Sequence, residues 1–73
     1  MDPMQLLASR QFMMRMVDIL KRLPEKQQMV MALHYQEDLS YREIAAVMNL
    51  TPGRISQLHT EAMVAIRALI GTA

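Results

Sequence analysis

Between Ser40 and Pro52 the chain carries two helix-start signals and one helix-stop signal, and that spacing limits the available folds more than any other feature. Ser40-Tyr41-Arg42-Glu43 has the capping-box form: the Ser hydroxyl and the Glu carboxylate can each satisfy an orphan backbone N–H at a helix start. Asn49-Leu50 then reads as a turn, because Asn tolerates the left-handed conformation that ends helices. Thr51 offers a second cap, with Pro52 at a first helical position, where a missing N–H costs nothing. These signals predict a short helix over 40–48, a tight turn, and a longer helix over 51–70 that ends before Gly71. Those are helix-turn-helix proportions.

Nothing in the rest of the chain reads as a strand. Pro3 precedes a first helix, about Met4 to Arg22 within segment 1–22. Its apolar positions Phe12, Met13, Met16, Val17, Ile19, Leu20 and Leu23 spread wider than one stripe. Leu23-Pro24-Glu25 breaks and restarts the chain, with Pro24 at a first helical position of a second helix over 24–36. That helix carries Met29, Val30 and Leu33 at helical spacing, and Gln36-Glu37-Asp38-Leu39 reads as a connection. The expectation is an all-α, small four-helix domain containing a helix-turn-helix, with residues 1–73 forming one domain. A second core cannot be built from 73 residues. The absence of cysteine excludes a disulfide framework and Cys-type zinc sites. The longest apolar stretch, Phe12 to Leu20, is broken by Arg15 and Asp18, so no membrane partner is expected. Without a basic leader region the default location is cytoplasmic.

The fourth helix has two faces. At helical spacing Ile55, Leu58, His59, Ala62, Ile66 and Leu69 share one side. Gly53, Gln57, Thr60, Glu61 and Val64 share the other, with Arg54 at the flank. Such a helix can enter a major groove with its N-terminal residues at base edges. Arg suits guanine and Gln suits adenine by bidentate geometry, and Arg54 and Gln57 lie three residues apart near the helix start. A solvated surface would show the same polar face. The charge is thin: two arginines against one glutamate on this helix, and +1 for the whole chain. Few neutralised phosphates means weak binding with a shallow salt dependence.

Other chemistry finds little support. His34 and His59 stand far apart in sequence without a neighbouring Cys or paired carboxylate, so a packed, hydrogen-bonded His59 is the simpler expectation. Glu43 is committed to its cap and Asp18 can pair with Arg22 at i, i+4. No nucleophile elbow or phosphate loop is present, and neither catalysis nor a cofactor is expected. The Met-rich first helix has two readings: it fills the core, or it presents an adaptable surface to a protein partner.

Three strings, Leu23-Pro24-Glu25-Lys26, Leu39-Ser40-Tyr41-Arg42-Glu43-Ile44-Ala45 and Ile55-Ser56-Gln57-Leu58-His59, together resemble region 4 of bacterial sigma-70-family factors. The string at 54–59, followed by a small residue and Ala62, is most similar to the flagellar class. The resemblance covers about Leu23 to Leu69. It implies recognition of the upstream (minus-35) promoter element and docking on the β-subunit flap of core RNA polymerase. By position, Arg54 and Gln57 would reach bases, and Ser40, Tyr41 and Arg42 would sit near phosphates. Thr51, Gly53, Ser56 and Thr60 complete the expected DNA-binding set. The chain departs from the family pattern at Pro52-Gly53, where many members carry polar or charged residues. It departs again at Glu61, Val64 and Ala65, where many carry Lys, Arg or Gln. Gly53 would let backbone N–H groups approach a phosphate closely, or is simply tolerated in a capped first turn.

Members of that class are several-fold longer. The expectation is therefore an excised C-terminal domain with an added Met1 and with Ala73 at or near the native end, the alternative being a free-standing small regulator. Expected partners are promoter DNA, polymerase, an anti-sigma factor and, for the isolated domain, a second copy of itself. Two other readings remain open at this point. One is the DNA-binding domain of a LuxR-type response regulator; the other is a degenerate helix-turn-helix that binds protein and not DNA.

Overall fold

A computed structural model describes residues 3–71, apart from the side chains of residues 6 and 7. Four helices follow one another: α1 (Pro3–Lys21), α2 (Glu25–Tyr35), α3 (Tyr41–Met48) and α4 (Pro52–Gly71). Helix α4 touches the other three and is the axis of the fold.

The helix boundaries differ from the sequence expectations in small, explicable ways. Pro3 is the first residue of α1 rather than its predecessor. Pro24 stands outside α2, with extended backbone (φ −54°, ψ 149°), and its carbonyl accepts the Gln28 N–H at 3.0 Å. Gly71 lies inside α4 and not beyond it. Gly71 does not have a positive φ, so it is not a left-handed cap to α4.

The core is two apolar clusters strung along α4. In the first, Val30, Ile44, Ala45, Ile55 and Leu58 lock α2, α3 and the front of α4 together, with Leu33, Leu39, Tyr41, Met48 and Leu50 at the rim. In the second, Ile19, Leu23 and Met31 meet Ala62 and Ile66 on the rear half of α4. Helix α2 lies across both clusters, so it buries the adjacent residues Val30 and Met31. The expected Met29 side faces outward instead, at 39% exposure. A helix wedged between two neighbours buries two stripes, which a one-stripe pattern cannot anticipate.

The long first helix joins the core through its last part. Ile19 is buried and Met16 and Leu20 pack beside it, while Phe12, Met13 and Met14 are all exposed. Core filling therefore accounts for Met16 and not for Met13 or Met14. The Cα radius of gyration, 14.2 Å, exceeds the roughly 11 Å of a compact chain of this length, as a projecting α1 requires. No helix among the described residues is long and apolar enough to cross a membrane.

Candidate nucleic-acid interface

The helix-turn-helix is set by its caps. Ser40 Oγ accepts the Glu43 N–H at 3.1 Å and Glu43 Oε1 accepts the Ser40 N–H at 2.9 Å, the reciprocal pair of the expected capping box. The Ser40 N–H first, and then the Ser40 hydroxyl, hold the Glu43 carboxyl below its ordinary pKa of 4.5. At the other end Asn49 adopts φ 57°, ψ 44°, and the Leu50 N–H reaches back to the Ala45 carbonyl at 2.9 Å. That left-handed residue turns the chain sharply. Thr51 Oγ1 then accepts the Arg54 N–H at 3.1 Å and starts α4.

Along the exposed front of α4 three polar side chains form a row. Arg54 Nη1 donates to Gln57 Oε1 at 3.0 Å and lies 3.7 Å from Glu61 Oε1, the two charged side chains being 40% and 43% exposed. Positions 54, 57 and 61 are spaced i, i+3, i+7, so they share a face. Arg54 is thus not a bare cation at the flank. It is hydrogen-bonded to Gln57 and ion-paired with a carboxylate.

The remaining expected contact residues fall around this row, but in unequal states. Arg42, Thr51, Gly53, Ser56 and Thr60 are exposed. The Thr60 hydroxyl donates to the Ser56 carbonyl at 3.1 Å, which occupies its proton. A Cβ added at Gly53 would meet no atom nearer than Thr51 Oγ1 at 4.0 Å, so nothing in the chain itself requires glycine there. Ser40 is exposed and Tyr41 is only half-buried at the start of α3. Its ring packs at the rim of the first apolar cluster.

Tyr41 also belongs to a ring cluster that pins the start of α3 to α2 and α4. Its centroid lies 5.1 Å from that of His34 and 5.6 Å from that of His59. His34 Nδ1–H donates to the Leu39 carbonyl at 2.8 Å. The Tyr35 hydroxyl and His59 Nε2 are 2.7 Å apart; with the His59 proton on Nδ1, the hydroxyl is the donor. Burial, and then the nearby His34, push the His59 pKa below its ordinary 6.5. The expectation of a packed, hydrogen-bonded His59 thus holds. Its partner Tyr35 was not expected, because residues 34, 35, 41 and 59 carry no periodicity that links them. Gln28 was also missed: its amide donates to the carbonyls of Lys21 and Leu23 at 3.2 and 2.7 Å, tying the end of α1 to α2. No group of three or more His, Asp or Glu residues that could hold a metal occurs among the described residues.

Comparison with known proteins agrees with this geometry. The family described as "Sigma-70, region 4" matches residues 19–68. The RNA polymerase sigma factor FliA of Salmonella typhimurium is 37% identical over 70 residues, spanning 96% of this chain and 29% of that protein. FliA of Escherichia coli K12 is 36% identical over the same shares. The RNA polymerase sigma-D factor of Bacillus subtilis is 38% identical over 56 residues, 77% of this chain and 22% of that protein. The chain therefore spans less than a third of the length of these relatives. No solved structure matches it significantly. With the matched segment running from the last turn of α1 through both helices of the helix-turn-helix and most of the rest of α4, the chain belongs to the sigma-70 region 4 family.

Proposed function

We propose that this chain recognises the upstream promoter element as the C-terminal domain of a flagellar-type bacterial sigma factor, delivering RNA polymerase to its promoters. Family membership favours this reading over a response-regulator domain or a degenerate interaction module. The observation that carries it is the hydrogen-bonded Arg54–Gln57 pair, exposed at the front of α4 immediately behind the capped turn. Entering a major groove, each residue would exchange its bond to the other for a base edge: Arg54 for guanine, Gln57 for adenine. Ser40, Tyr41 and Arg42 at the start of α3, with Thr51, Gly53, Ser56 and Thr60 on α4, would border the phosphates. The domain would perform no chemistry of its own and would work in the cytoplasm.

The same reading gives the second surface a use. The exposed Phe12, Met13 and Met14 side of α1 lies beyond the matched segment. Between α1, α2 and α4 runs an apolar cleft of about 330 Å³ lined by Met16, Leu20, Met31, Tyr35 and Ile66. These are protein-facing surfaces, suited to the β-subunit flap of polymerase, to an anti-sigma factor or to a second copy of the isolated domain. Methionine-rich surfaces adapt to irregular partners.

The test is promoter choice by polymerase carrying the factor with Arg54→Ala or Gln57→Ala. Each substitution should cost about 1–3 kcal/mol of discrimination at one base pair and leave other positions unaffected. Unchanged promoter preference in both variants would refute the base-contact assignment.

A further inference from the structure

We infer that Glu61 is a positioning residue that sets the specificity of this interface: it holds the Arg54 guanidinium off the phosphate backbone, and so favours base contact over phosphate contact. This rests on the reading of Arg54 as a base-contacting residue. The Arg54 Nη1 atom carries both the Gln57 bond at 3.0 Å and the Glu61 ion pair at 3.7 Å. Other polar groups of the helix-turn-helix are committed elsewhere. The Glu43 carboxylate caps α3, the Thr51 hydroxyl caps α4, and the Thr60 proton is given to the Ser56 carbonyl. Among the described residues Glu61 is the carboxylate in ion-pair reach of Arg54.

A phosphate offers arginine anionic oxygens that recur along the whole duplex, whatever its sequence. Glu61 offers the same kind of partner within the helix, and its own charge repels any phosphate that approaches. A guanine edge offers two acceptors, O6 and N7, in fixed geometry. That edge carries no net charge, so the Glu61 carboxylate repels it less than it repels a phosphate. Glu61 therefore weakens non-specific binding more than specific binding. Specificity is a difference of affinities, and penalising the wrong partner raises it.

The experiment uses the chain itself with Glu61→Gln, Glu61→Ala, Arg54→Ala, and Arg54→Ala combined with Glu61→Gln. Fluorescence anisotropy is measured on a labelled duplex of arbitrary sequence and on a duplex that the unsubstituted chain enriches from a randomised pool. Glu61 is solvent-exposed, so an unchanged melting temperature serves as the folding control. Either Glu61 variant should bind the arbitrary duplex roughly two- to five-fold tighter at low salt, the range of an exposed ion pair. The plot of log affinity against log salt should steepen by about one unit, the signature of one more phosphate contact. The enriched duplex should gain less, so the ratio of the two affinities falls. The double variant should exceed Arg54→Ala by less than the Glu61 variants exceed the unsubstituted chain, because only the direct repulsion of phosphate by Glu61 remains once Arg54 is gone. A wild-type ratio and salt slope in both Glu61 variants, alongside a lost sequence preference in Arg54→Ala, would overturn this inference and leave base reading intact. An Arg54→Ala chain with unaltered sequence preference would overturn base reading and this inference with it.

Discussion

The side chains at the front of the helix-turn-helix serve their own backbone before they can serve DNA. Ser40 and Thr51 supply the hydroxyls that start α3 and α4, so Thr51→Ala or Ser40→Ala should each cost about 1 kcal/mol in denaturant unfolding. Both caps were legible in the sequence because a cap is a local device: one oxygen, three residues, one helix start. The Arg54–Glu61 pair was half legible. Residues 54 and 61 lie two helical turns apart on one face, but the rotamers that bring them within 3.7 Å are not encoded in spacing. The ring cluster was not legible at all, since it joins residues from three helices. It has a pH consequence. His59 binds protons less readily in the fold than in the unfolded chain, where its ordinary value near 6.5 applies. Protons therefore favour the unfolded state, and the stability present above about pH 6.5 declines as pH falls through the lower folded value. Denaturant titrations between pH 8 and pH 5 should show this decline, and His59→Phe should flatten that part of it. A slope unaffected by the substitution would assign the titration elsewhere.

Among the elements, α3 matched its sequence expectation most closely and α1 least. Helix α3 is bounded by Ser40 and Asn49, whose side-chain and backbone chemistry fix both ends. Helix α1 has apolar residues nearly all round, and nothing local says which of them meet a neighbour. Position along α4 decides it: Ile19 and Leu23 reach Ala62 and Ile66, whereas Phe12, Met13 and Met14 are exposed. The strap from Gln28 to the Lys21 and Leu23 carbonyls should make the α1–α2 junction separable by mutation. Gln28→Ala is expected to cost about 1 kcal/mol, and amide hydrogen exchange should rise first in the last turn of α1. At Gly53 there is room for a methyl group, so Gly53→Ala should stabilise the free domain by about 0.5 kcal/mol. The same change should weaken DNA binding if backbone N–H groups there approach a phosphate closely. Thermal melts and anisotropy on the same variant read the two effects independently.

For the molecule as a whole, extents of 44 × 27 × 14 Å describe a thin body whose core is divided in two. Ile44 and Ile55 are fully buried in the cluster beneath the helix-turn-helix. Ile55→Ala should cost about 2–5 kcal/mol, a large part of the stability of so small a domain. Such a loss should show as a collapsed unfolding midpoint. The net charge of +1 was legible from the start, and its meaning sharpens once Arg54 is seen paired with Glu61. With Arg54 paired to Glu61, the exposed Arg42 is, among the described residues, the unpaired arginine of the proposed face, and the proposed function has a larger assembly bring the domain to its site. The central claim is that the front of α4 and the start of α3 meet promoter DNA while α1 faces protein. Amide chemical-shift mapping of the labelled chain, titrated with a duplex carrying a minus-35 promoter element, tests it most directly. The account predicts perturbations concentrated at Ser40–Arg42 and Thr51–Thr60, with α1 silent. Perturbations centred on Phe12–Val17, with Arg54 and Gln57 unmoved, would contradict it.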